Sequence, residues 1–182
     1  MGRNMEHPVG ISRLRVHRRP GLRHEGVLVA GGRALRVALG RSGISADKRE
    51  GDGRTPAGRW RILGLLYRPD AGPRPLTRLP CRPIARTDGW CDASGHRRYN
   101  RPVTLPFSAS HERLWREDHL YDLVLVLDHN TRPRIMGRGS AVFVHLARPG
   151  LRPTEGCVAL PRGELRRLVA RLRPGAEIVI AP

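Results

Sequence analysis

GSAVFVHLARPGLRPTEGCVALPRGELRRL, residues 139–168, decides how this chain folds. Ala141 to Leu146 is an apolar run broken only by His145, the composition of a strand covered on both faces. Proline and glycine crowd the next stretch, ARPGLRPTEG, so the chain turns there. Val158 to Leu160 resumes the apolar run, and Pro161 stands where it can open a helix at its first turn. Leu165, Leu168, Val169 and Leu172 then recur at the i, i+3, i+4, i+7 spacing of one buried helical stripe. Pro174-Gly175 is expected to stop that helix, and Ile178 to Ile180 to close the chain as a last strand.

Upstream the signals are those of strands. Leu123 to Leu127 is a continuous apolar run, and Trp60 to Tyr67 another strand. Ser12 to His17 alternates Leu14 and Val16 with Arg13, Arg15 and His17. Gly26 to Ala30 and Arg33 to Leu39 flank Gly31-Gly32, a hairpin signature. Between them and Trp60 lies the turn-rich segment GRSGISADKREGDGRTPAGRW, and residues 68–119, dense in Pro, Gly, Arg and His without periodicity, predict a long irregular functional loop. With 21 Gly, 16 Pro and 4% aromatics in 182 residues, a helical bundle is excluded. The expected fold is mainly β (α+β), a mixed β-sandwich-like domain with one principal helix. Residues 1–10 read as a disordered start and 11–182 as a single domain.

The net charge of +18 is almost all arginine, Lys48 being the only lysine, and favours anionic partners such as nucleic acid, lipid headgroups or an acidic cell-wall polymer. The arginines do not cluster on one helix or interleave with aromatics, so specific nucleic-acid binding is not expected. No run approaches the roughly 18 apolar residues of a membrane-crossing helix, and the first twenty residues show no secretory signal. Of the three cysteines at least one is unpaired; Cys81 and Cys91 either form a disulfide or are free thiols.

His145 ends a buried strand, and Cys157 follows it by twelve residues in a turn. A cysteine thiol, with a pKa of about 8.5, needs a neighbouring base to become a nucleophile at neutral pH. Gly156 lets the backbone turn sharply and leaves room for a substrate carbonyl near the N–H groups of Gly156 and Cys157. By spacing alone, a core histidine and an inert core cysteine read equally well. His111, Glu112, His119 and His129 suggest a metal, but HERLW lacks the second histidine of a zinc-protease motif, so no metal or cofactor is expected.

The segment resembles the YkuD-type L,D-transpeptidase catalytic domain, whose signature is a strand-end histidine followed by a [Ser/Thr]-x-Gly-Cys turn, here His145 and Thr154-Glu155-Gly156-Cys157. GDGRTPAG at 51–58, GWCD at 89–92, Tyr99-Asn100, HERLWREDHLYD at 111–122 and LDHN at 127–130 extend the likeness over most of residues 12–181. Glu155 stands where the commonest turn of that family has a second histidine, and Ala159 where it has a polar residue. The resemblance implies Cys157 as nucleophile and His145 as base then acid. The substrate it implies is a peptidoglycan stem tetrapeptide, which loses its terminal D-alanine as a thioester forms. It implies a place in the cell envelope, and acylation by carbapenems as donor mimics. Gly156 and Thr154 are expected to shape the turn and oxyanion site, and Trp90, Tyr99, His111, Trp115 and Glu155 to contact substrate. Papain-like enzymes carry the cysteine before the histidine, the reverse of the order here. A carboxypeptidase using water as acceptor fits the same residues.

Overall fold

Alternation of side chains along short strands builds the observed architecture, a computed structural model that describes residues 10–182. The expected disordered start falls outside these residues except for Gly10. In chain order the elements are β1 (Ile11–Arg18), β2 (Glu25–Ala30), β3 (Arg33–Ala38), β4 (Ile44–Ser45), β5 (Thr55–Pro56), β6 (Gly58–Tyr67), β7 (Cys81–Pro83), β8 (Asp88–Cys91), β9 (Pro102–Thr104) and β10 (His111–Arg113). They continue with β11 (Leu123–Leu127), β12 (Phe143–Leu146), β13 (Val158–Leu160), α1 (Arg162–Arg171) and β14 (Leu172–Ala181). The domain is mostly β with one α-helix, as expected.

The main sheet runs β11-β12-β13-β3-β2-β1-β14-β6-β7, and β11 also pairs with β6, which closes the sheet on itself. In β1, Leu14 and Val16 are buried while Arg13, Arg15 and His17 are exposed, the period-two pattern of a half-covered strand. Ala30 pairs with Arg33 across the β2–β3 hairpin. Gly31 and Gly32 sit at φ +53° and +77°, which a two-residue turn of the primed type requires.

Helix α1 buries Leu165, Leu168 and Val169 against the core, but it ends at Arg171, three residues before the proline expected to stop it. Leu172 is already extended and pairs with Ile11 at the head of β14. The sheet, not proline, terminates the helix. Pro174-Gly175 instead lies in the irregular step between the Ile11–Leu172 and Arg13–Glu177 pairs.

Segment 68–119 departs from its reading as irregular loop. It contributes β7 to the main sheet, and β8, β9 and β10 form a separate three-stranded sheet in the order β10-β8-β9. Strands of three or four residues are too short to show a period, and their partners are remote in sequence. This small sheet covers the outer face of β11 and β12. Along these strands Leu123, Leu125, Leu127, Val144 and Leu146 enter the main core. Val124, Val126 and Phe143 enter a second core with Ile84, Trp90, Leu114, Leu120 and Tyr121.

Full burial of Leu125 predicts that Leu125→Ala destabilises the domain by about 3 kcal/mol in urea unfolding. Leu76→Ala, at an 84% exposed position, should stay within about 0.5 kcal/mol of the parent.

Candidate active site

The same alternation fixes where the candidate residues point. Strands β12 and β13 run parallel with Val144 opposite Val158 and His145 opposite Ala159. Val144 and Val158 face the main core. His145, Ala159 and, two residues before it, Cys157 therefore share the other face. Diagonal neighbours of this kind lie roughly 7–8 Å apart at Cα, close enough for an imidazole and a thiol to approach. Both line one partly open cavity of about 160 Å³, together with Lys48, Glu50, Glu112, Arg116 and Tyr121.

The turn that carries Cys157 is held from within. Thr154 Oγ1 donates to Cys157 O (2.7 Å) and accepts from Gly156 N (3.1 Å). Gly156 has φ +137°, and a Cβ there would lie 2.7 Å from the Arg54 carbonyl oxygen. Only glycine fits this contact without displacing backbone. The apposed segment is the DGRTP turn, in which Asp52 accepts from the N–H groups of Arg49 and Arg54 and pairs with the buried Lys48 ammonium. Because Gly156 N–H is engaged by Thr154, it is not free to bind a substrate oxygen. Cys157 N–H has no hydrogen-bond partner among the described residues.

The Cys157 sulfur donates to Ala141 O (3.3 Å) and accepts from Phe143 N (3.4 Å). Among the described residues, His145 is not one of its hydrogen-bond partners. Burial pushes the thiol up to about 12, with the Phe143 N–H opposing. His145 Nδ1 lies 2.9 Å from Leu146 O, which only accepts, so Nδ1 carries the proton and Nε2 keeps its lone pair. Burial lowers this imidazole to about 4, with the Leu146 hydrogen bond opposing. At neutral pH the pair is thus a thiol and a neutral base, not a thiolate and an imidazolium.

Of the expected substrate contacts, Glu155 lines the cavity mouth, exposed and paired with Arg41. The other four do not line it. Trp90 packs edge-on against Phe143 and donates from Nε1 to Asn100 Oδ1 (2.9 Å). Tyr99 is fully buried and donates to Glu50, so it supports a cavity residue from behind. Trp115 lies beneath the guanidinium groups of Arg68 and Arg86, and His111 bonds to Ala109 O (2.8 Å). Trp90 belongs to the second core and Trp115 packs against it, so filling that core claims both of these rings. Cys81 and Cys91 are both free thiols.

Sequence reading missed Lys48, Glu50, Arg116 and Tyr121. Lys48 left a trace as the one lysine beside many arginines, and Arg116 and Tyr121 fall within the quoted HERLWREDHLYD run without having been singled out.

The model of the L,D-transpeptidase catalytic domain family, YkuD, matches residues 22–180. The chain belongs to this family. Two solved structures resemble it. One is an L,D-transpeptidase from Mycobacterium tuberculosis H37Rv, at 12% identity and TM-score 0.44, covering 95% of this chain and 59% of that one. The other is L,D-transpeptidase 3 from Mycobacterium tuberculosis, at 12% identity and TM-score 0.44, covering 95% of this chain and 62% of that one. The chain therefore spans about three fifths of the length of these two structures. No curated protein compared with it matches. No helix among the described residues is long and apolar enough to cross a membrane.

The depressed pKa of His145 links to stability. Its contribution is complete above the ordinary value of about 6.5 and is lost as pH falls through that value towards about 4. Between those limits the unfolding free energy should drop by roughly 3 kcal/mol on account of this group. His145→Gln should flatten that part of the pH–stability curve, which chemical denaturation at a series of pH values would measure.

Proposed function

We propose that the chain is a cysteine-dependent L,D-transpeptidase acting on peptidoglycan stem peptides through a thioester acyl-enzyme, with release of terminal D-alanine. The observation that carries the reading is the placement of Cys157 and a neutral His145 as diagonal neighbours on one strand face under a cavity, within a chain of this family. His145 Nε2 takes the thiol proton as sulfur attacks the carbonyl of the third stem residue. The sulfur turns away from Ala141 O to do so. The imidazolium then returns the proton to the departing D-alanine nitrogen, and the C–N bond breaks. Cys157 N–H, without a partner among the described residues and on a residue that lines the cavity, is the backbone donor for the oxyanion.

An amine then resolves the thioester. Arg148 and Arg152, exposed at the cavity rim, attract the carboxylates of a stem peptide to this mouth. The arginine-rich surface suits an anionic cell-wall polymer by the same physics, at the cell envelope.

Intact-mass measurement after carbapenem treatment should show one adduct, abolished by Cys157→Ala and retained by Cys81→Ala and Cys91→Ala. An adduct on Cys81 or Cys91 would overturn the assignment. His145→Ala should slow acylation by at least about a hundredfold, the lower range for a positioned acid–base group. His111→Ala, His119→Ala and His129→Ala should each leave acylation measurable. Because the thiol is raised and the base is neutral, alkylation of Cys157 by iodoacetamide should be slow at pH 7 and rise about tenfold per pH unit towards alkaline pH. A Cys157 that alkylates at neutral pH faster than free cysteine would sink the neutral-pair mechanism.

A further inference from the structure

Resolution of the thioester by an amine raises a proton-counting problem that His145 does not solve alone. An alkyl ammonium, with a pKa near 10, is almost wholly protonated at neutral pH. In becoming an amide it gives up two protons. One ends on the Cys157 sulfur, and the other must leave the site. His145 has a single free nitrogen, Nε2, because Nδ1 is committed to Leu146 O. It can carry one of the two.

We propose that Glu112 is the second carrier: its carboxylate binds the incoming ammonium in the cavity and takes the proton that turns it into a nucleophile. The assignment rests on the transpeptidase reading above and deepens it on the acceptor side.

Glu112 lies on β10 and lines the same cavity as Cys157 and His145. Its Oε2 accepts from Tyr121 OH (3.2 Å) and lies 3.5 Å from Arg116 Nη1. Its Oε1 has no partner among the described residues, and about a third of the side chain is accessible. The Tyr121 ring packs edge-on against His145 with centroids 5.2 Å apart, so one residue braces both proton carriers. The charge of Glu112 also acts on the Cys157 thiol, whereas Glu50 and Asp92, the neighbouring cavity carboxylates, are not among the leading influences on it. Glu50 is further engaged by Tyr99 and Ser140.

Arg116 divides its charge between two carboxylates: its Nε and Nη2 bind Asp118 at 2.9 and 2.6 Å, while Nη1 reaches Glu112 at 3.5 Å, the longest of the three contacts. The groups facing Glu112 are Asp92 after β8, Arg116, Asp118 and Tyr121 on the segment that follows β10, and Cys157 on its turn. Burial holds the carboxyl above the ordinary range, with Asp92 and Asp118 adding to the rise and Arg116 and Tyr121 opposing it. A carboxylate of raised pKa is the better base.

The step balances as follows. The ammonium gives one proton to Glu112, and the neutral amine attacks the thioester carbonyl. His145 Nε2 removes a second proton from the tetrahedral nitrogen. The C–S bond breaks, and the sulfur takes that proton from His145. Glu112 releases its own proton to solvent.

The experiment uses the full chain with disaccharide tetrapeptide, whose side-chain amine serves as acceptor and gives a crosslinked dimer. Parallel reactions contain hydroxylamine, which is uncharged at neutral pH and needs no prior deprotonation. Mass spectrometry reads dimer and hydroxamate. Glu112→Gln, which keeps an acceptor for Tyr121 OH, should lower the dimer-to-hydroxamate ratio by at least about a hundredfold. Glu112→Asp should restore part of it. In the parent chain the ratio should show an added rise with pH through the Glu112 titration, and in Glu112→Gln that step should vanish, leaving only the roughly tenfold-per-unit rise of the free amine.

Equal losses of dimer and hydroxamate would make Glu112 a structural support and overturn the proposal, as would an unchanged ratio. Hydroxamate without any dimer from the parent chain would also overturn it, since no amine would then be an acceptor. Absence of both products and of a Cys157 adduct would overturn the transpeptidase reading itself.

Discussion

The site depends on the two-sided burial of β11 and β12. With side chains alternating strictly, each strand sends one set of residues to the main core and the other to the second core beneath the small sheet. A slip of one residue along β12 would bury His145 among leucines and aim Val144 at the cavity. Every other position on these strands is apolar, so such a slip would place an uncompensated imidazole in the main core. The cost of burying that polar group pins the register, and the register aims the imidazole.

Burial that fixes the geometry also sets the chemistry. It disfavours the charged form of each group, so it raises Cys157 and lowers His145. The result is a thiol that rests on Ala141 O beside a neutral imidazole; in the mechanism proposed above it becomes a nucleophile when a substrate draws it towards that base. The cavity's charges are mostly counterbalanced nearby: Lys48 by Asp52, Arg116 by Asp118 and Glu155 by Arg41. Asn100 stiffens the surroundings by accepting from Trp90 and Ala141 and donating to the carbonyls of His129 and Asn130. It ties the segment after β8 to both ends of the β11–β12 connection, and Ala141 is the residue that holds the sulfur.

The close approach of Gly156 to the Arg54 carbonyl has a consequence for the whole site. It presses two turns, distant in sequence, against each other with no side chain between them. Thr55 reinforces the contact by accepting from Gly40 N and lying near Cys157 O. The DGRTP turn thereby brings Lys48, Glu50 and Gly51 to the cavity wall.

Local information was sufficient for the long strands, the Gly31-Gly32 hairpin, the helix stripe and the Thr154–Cys157 turn, because each is written in a period or a glycine within a few neighbouring positions. His145 and Cys157 stood out as candidates for the same reason, a polar residue in an apolar run and a cysteine behind a glycine, whereas their sharing one face under the cavity follows from the pairing of β12 with β13. Tertiary structure alone decided the end of α1, where pairing of Leu172 with Ile11 outweighed helix propensity before Pro174 was reached. It alone turned segment 68–119 into a small sheet, since three-residue strands gain their stability from partners that no local window contains. It alone sorted the aromatic residues, sending Trp90 and Tyr99 into packing and Tyr121 to the cavity. Which face of a fold a ring or a carboxylate meets is set by contacts between segments dozens of residues apart, and a single sequence does not encode those contacts locally.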